Sequence, residues 1–192
     1  MARKQDFRPD KPTTSFLNHL ILTKKQQKTL LKWVLYALFL LVLSVVQDVL
    51  LSQVRLFGAT TELVPCGIFL ICILEGTHTG SVFALIAGLL YLFSGTAPGP
   101  YSMVAITFYS VGVCIFRQAY LQESFSSAYL CAGIAMVLYV LTNVLFGLFL
   151  GLTPLSRIFG FLVTAILTLL TVPVLYPVLK AIGAFGGYQW KE

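Results

Sequence analysis

Residues 62–101 read ELVPCGIFLICILEGTHTGSVFALIAGLLYLFSGTAPGPY. Two apolar segments, Leu63–Leu74 and Ser81–Phe93, flank a small polar hinge, Glu75-Gly76-Thr77-His78-Thr79-Gly80. A glycine-proline turn, Ser94–Pro100, then sends the chain onward. So much continuous apolar sequence with so few charges predicts a hairpin of two helices in lipid. The strict apolar cores are 12 and 13 residues long, whereas a crossing needs about 20 residues at 1.5 Å of rise each. Two arrangements fit. Either the helices run on through Thr61–Glu75 and Thr79–Gly95, with their ends among the headgroups, or the hairpin sits inside the protein, where irregular backbone at membrane depth is shielded. Ala84 and Gly88, at small-xxx-small spacing, predict close packing against another helix.

Outward from the hairpin the same character holds. Hydrophobic residues make up 58% of the chain and charged residues 10%, against about 25% charged in an ordinary soluble domain, and the mean hydropathy is +0.88. The apolar runs are continuous and do not alternate every second residue, which speaks against a β-barrel. Further spans are predicted at Leu30–Ser52, Tyr101–Tyr120, Ser126–Leu150 and Arg157–Lys180. The expected fold is an all-α integral membrane protein, a bundle of about six transmembrane helices with both termini cytoplasmic. Residues 1–29 form a basic cytoplasmic or interfacial segment, 30–180 the transmembrane domain and 181–192 a cytoplasmic tail. In the basic segment, Phe16, Leu17, Leu20 and Ile21 share one face of a helix that would lie in the interface. A flexible tail whose lysines only enforce topology fits as well.

The charge of +6 is distributed in a way that speaks against a nucleic-acid partner. Arg3, Lys4, Arg8, Lys11, Lys24, Lys25, Lys28 and Lys32 precede or abut the first span. With Arg117, Lys180 and Lys191 they put eleven basic residues on one side of a six-span topology, leaving Arg55 and Arg157 on the other. This is the positive-inside pattern of a protein with both ends in the cytoplasm. The four cysteines, Cys66, Cys72, Cys114 and Cys131, lie in apolar stretches without CxxC spacing and read as small buried hydrophobes.

Polar residues within the spans are few. Asp48 stands near the outer end of the first span, where an ionisable group invites a functional reading, and Arg55, seven positions on, is its natural partner. Glu75 and His78 are three apart, but Gly76 and the short hinge favour turn residues at the cytoplasmic surface. Asn143 sits at mid-depth and predicts a helix–helix hydrogen bond, and Gly147 and Gly151 form a GxxxG close-approach motif. Pro173 and Pro177 are expected to kink the last span. There is no GxSxG, HExxH, paired-carboxylate or phosphate-loop pattern, so the chain reads as a non-enzyme without cofactor or metal that works through interaction surfaces.

Gln47, Leu56-Phe57-Gly58, Glu62, Glu75-Gly76, Gly80, Gly88-Leu89-Leu90, Ser94-Gly95 and Pro98-Gly99, in this order, resemble the rod shape-determining protein MreD family over most of Leu30–Lys180. Where that family carries Pro-Asp this chain has Thr61-Glu62, and its acid before the Ser-Gly turn is replaced by Tyr91 or Leu92. The resemblance implies a non-catalytic scaffold in the bacterial inner membrane that binds a single-span MreC-like protein and so couples cytoplasmic MreB filaments to peptidoglycan synthases. It implies that Asp48, Arg55 and Glu62 lie toward the partner's ectodomain. Gly76, Gly80, Gly88, Gly95, Pro98 and Gly99 would shape the hairpin and its turns. A chain of this size also resembles the substrate-binding subunit of an energy-coupling-factor vitamin transporter, in which Asn143, Tyr139, Tyr109 and Glu62 would line a pocket.

Overall fold

The structure, a computed structural model, describes residues 24–51, 61–120, 124–152, 154 and 158–185. The interfacial helix expected at Phe16–Ile21, together with Arg55 and Arg157, falls outside the described residues. The described chain is all α. Helix α1 spans Lys24–Val45 and passes directly into a π-helical turn, Val46–Leu51. Then follow α2 (Leu63–Glu75), α3 (Thr77–Phe93), α4 (Pro100–Tyr120), α5 (Phe125–Phe149) and α6 (Ile158–Phe185). Four of these, α1, α4, α5 and α6, are long and apolar enough to cross a membrane; α2 and α3 are shorter.

Local chemistry sets the boundaries. Pro65 falls in the first turn of α2, where a missing N–H costs nothing. Gly76 ends that helix at φ +88° and is the sole residue between α2 and α3. The predicted six-residue hinge therefore contracts to one, and Thr77-His78-Thr79-Gly80 become the first turn of α3, with the Ser81 and Thr79 hydroxyls donating back to the carbonyls of Thr77 and Glu75. Pro100 opens α4, the position that proline suits best. Ser124, extended at φ −125°, accepts the Ser127 N–H at 3.1 Å and caps α5. At the far end of α5, Gly151 at φ +67° and Leu152 donate to the carbonyls of Leu148 and Gly147. This Schellman termination corrects the reading of Gly147–Gly151 as a helix contact: a Cβ at Gly151 would meet nothing within 4 Å. Both Pro173 and Pro177 lie within α6, which continues to Phe185, past the predicted end at Lys180.

The core is centred on one helix. Every residue of α2, Leu63–Glu75, is buried, and each of the other five helices packs on it. Thirteen residues of α-helix are about 20 Å long, short of a hydrocarbon core of about 30 Å. The protein itself surrounds α2, whereas α3 exposes Val82, Ile86, Leu90 and Phe93, so the enclosure the sequence allowed for the hairpin holds for its first helix alone. Because lipid tails are as apolar as leucine, burial of α2 rests on close packing more than on hydrophobic exclusion. Gly80 of α3 comes so near α2 that a Cβ would lie 3.3 Å from Cys72 Cα, and fully buried Ala84 continues that seam. Gly88 faces Met103 and Ile106 of α4, as the small-residue spacing predicts.

Neighbouring helices run antiparallel. Lys32, early in α1, meets Glu75 at the end of α2, and Gly183, late in α6, lies against Tyr36. The start of α1 and the end of α6 therefore share one end of the bundle. The outward faces of α1, α5 and α6 expose Leu38, Leu41, Leu130, Ile134, Leu170 and Val174, a surface suited to lipid.

Candidate functional site

A helix enclosed on all sides must have its ends satisfied by neighbours, since its first N–H and last C=O groups have no partner within the helix. Among the described residues, two clusters of buried polar side chains stand at those ends.

At the end where α2 stops, Lys32 Nζ meets Glu75 Oε2 at 2.6 Å, with both side chains 4% exposed. The Tyr36 hydroxyl donates to Glu75 Oε1 at 2.8 Å. Trp33 stands edge-on to Tyr36. Gly183 leaves the room that Tyr36 needs: a Cβ there would be 2.9 Å from its hydroxyl. Arg117, also buried, brings its guanidinium to Gly76, where a Cβ would come within 2.7 Å of Nη1. Cys114 adds S–H contacts to the carbonyls of Cys72 and Gly76, both at 3.6 Å. Glu75 is therefore not the surface turn residue that the sequence suggested, and Lys32 is not simply a topology signal. Each satisfies the other inside the bundle, while His78 alone of the expected pair is exposed. The signal for this pairing was the acid closing an apolar run, which needs a cation, but nothing in the sequence named Lys32 among eight candidates.

At the opposite end, α2 begins with donors that its neighbours receive. The Glu62 N–H donates to Thr168 Oγ1 of α6 at 3.1 Å, and the Val64 N–H to Gln47 Oε1 of the π turn at 3.1 Å. The wider π turn carries Gln47 inward, where it is buried. Around these caps stand Glu62, Tyr91 of α3 and Tyr139 and Asn143 of α5. Tyr139 faces Glu62, Tyr91 and Asn143, and Tyr91 faces Gln47, with Asp48 nearby. Tyr139, Tyr91 and Asn143 are 0%, 2% and 2% exposed. Glu62 Oε2, both hydroxyls and both polar atoms of the Asn143 amide are enclosed without a hydrogen-bond partner. The helix–helix hydrogen bond expected of Asn143 is thus not formed. Its position on α5 turns it toward this cluster, where Tyr139 meets Phe69 of α2 edge-on at 6.1 Å.

The structure brings together Glu62, Tyr139 and Asn143, adds Gln47 and Tyr91, and leaves Tyr109 apart, bonded to Thr142 at the α4–α5 surface. Asp48 is half-buried in the π turn next to this cluster. Glu62 turns a carboxyl oxygen inward, so its influence on any partner passes through this end of the bundle. Gly95 takes φ +76° in the second turn, and Pro98-Gly99 lead to Tyr101, whose ring a Cβ at Gly99 would strike. Tyr91 and Ser94 also line an apolar groove of about 490 Å³ between α1 and α3. The four cysteines are all buried thiols. Compared with protein-family models, curated proteins and solved structures, the chain matches none.

Proposed function

We propose that this chain is a non-catalytic, multi-pass scaffold of the bacterial inner membrane, working in cell elongation as its resemblance to the MreD family implies. One observation carries the reading: among the described residues, several that bear the resemblance stand at joints of the bundle. Glu62 opens the central helix through Thr168, Glu75-Gly76 close it, Gly80 and Gly88 set the spacing of α3, and Ser94-Gly95 turn the chain into α4. A likeness at the joints is a likeness of architecture, which apolar composition alone would not produce. In this reading the α2–α3 hairpin and the four long helices form six passes. The end carrying Lys28, Lys32, Arg117 and Lys180 faces the cytoplasm. An MreC-like single-span protein binds from the bundle's membrane and outer faces, linking MreB filaments to peptidoglycan synthases.

A second reading, the substrate-binding subunit of a vitamin transporter, is favoured by the convergence of Glu62, Tyr139 and Asn143. Affinity purification of the tagged chain from native membranes in mild detergent separates the two. Recovery of a single-span coiled-coil protein with cell-wall synthases supports the scaffold. Recovery of ATPases and a coupling membrane subunit overturns it in favour of the transporter.

A further inference from the structure

We propose that the cluster at the start of α2 is a binding site for a small monovalent cation. The proposal does not depend on the scaffold reading, and it assigns an ion to the residues whose convergence favours the transporter reading. It rests on what five side chains from four elements do together: Glu62 before α2, Gln47 from the π turn, Tyr91 from α3, and Tyr139 and Asn143 from α5.

The donor set has a definite chemistry. Glu62 Oε2, Asn143 Oδ1 and the hydroxyls of Tyr91 and Tyr139 are enclosed oxygens with no hydrogen-bond partner, and three of these residues are more than nine-tenths buried. Carboxylate, carbonyl and hydroxyl oxygens are hard ligands, suited to hard cations and to N–H⁺ groups and not to soft metals. A single inward carboxylate matches one positive charge. A divalent ion would demand more, and among the described residues no group of three His, Cys, Asp or Glu side chains stands together.

The surroundings make neutralisation necessary. Glu62 as a whole is half-buried, but its Oε2 is enclosed, and a carboxylate oxygen inside an apolar bundle is costly unless something compensates it. The basic side chains described in the helices, Lys28, Lys32, Arg117 and Lys180, belong to the opposite end. At the α2 terminus, Gln47 and Thr168 are already committed to the Val64 and Glu62 N–H groups. They hold the frame and leave the four oxygens for a ligand. Those oxygens are enclosed without pairing, an arrangement that is costly in a non-aqueous interior if nothing is bound. A bare alkali ion and the head of a primary ammonium share the required chemistry.

The test uses the full chain in nanodiscs of neutral phosphatidylcholine, with ionic strength held constant by choline chloride. Thermal unfolding is followed while sodium, potassium or methylammonium chloride replaces choline. A saturable rise in Tm with sodium or potassium identifies an alkali ion, and one confined to methylammonium identifies an ammonium group. Either rise must vanish in Glu62→Gln. In Asn143→Leu the apparent affinity must fall about tenfold or more, the scale on which losing a supporting group weakens ion binding. No saturable rise over choline, or the same rise in Glu62→Gln, overturns the proposal and leaves protonation as what neutralises Glu62. Should Glu62→Gln fail to fold, Tyr91→Phe keeps the ring and loses one oxygen. An unchanged affinity in that variant also overturns it.

Discussion

Lys32 and Glu75 are expected to be removable together but not separately. At 2.6 Å and an effective dielectric constant of about 20, their attraction is roughly 6 kcal/mol. Withdrawing each ion from water costs several kcal/mol, so in the intact protein the two terms nearly cancel. Lys32→Met removes the attraction and leaves the carboxylate enclosed beside Tyr36. Glu75→Leu leaves the ammonium enclosed beside Trp33, whose ring centroid lies 5.7 Å from Nζ. Each single variant is expected to lose about 3 to 5 kcal/mol. The double variant Lys32→Met/Glu75→Leu, which substitutes apolar groups of similar volume, is expected within about 2 kcal/mol of the parent. SDS-driven unfolding in mixed micelles measures all four proteins. Trp33 fluorescence in a Trp190→Phe background is the local probe, because Trp33 packs on Tyr36 and Phe83, and circular dichroism is the global one. Single variants within about 1 kcal/mol of the parent would show that the pair is solvated. A double variant that loses the sum of the singles would show that the two residues act independently.

Gly76→Ala should cost about 2 to 3 kcal/mol, since φ +88° is strained for alanine and the new Cβ meets Arg117. Gly95→Ala, at φ +76° in open space, should cost about 1 kcal/mol; equal losses in SDS unfolding would mean that Arg117 yields freely. Thr168→Val keeps the shape but leaves the Glu62 N–H without its acceptor, and should lose about 1 to 3 kcal/mol. A neutral result there would remove Thr168 as a cap. All four cysteines should resist maleimide in the folded protein and react after unfolding in SDS, and labelling of Cys72 in the folded state would contradict the enclosure of α2.

Periodicity and composition alone established the all-α class and the four long apolar helices. A run of twenty apolar residues has few other folded forms, and the starts expected at Tyr101 and Ser126 fall one residue from the observed Pro100 and Phe125. The close packing at Ala84 and Gly88 was legible for the same reason: small residues four apart share a face whatever lies opposite.

What lies opposite was not legible. A charge at the end of an apolar run reads as a turn exposed to water, and only the tertiary structure turned Glu75 inward to Lys32, 43 positions earlier in the chain. The enclosure of α2 was likewise one of two arrangements the sequence left open, because helix length sets reach but not neighbours. Gln47, Tyr91, the Tyr139–Asn143 turn and Thr168 stand far apart in sequence, and each alone has a bland reading. They come together because a buried helix must have its end groups met by side chains from other helices. That requirement follows from the physics of the backbone, whereas the residues that meet it are fixed by the packing of the bundle.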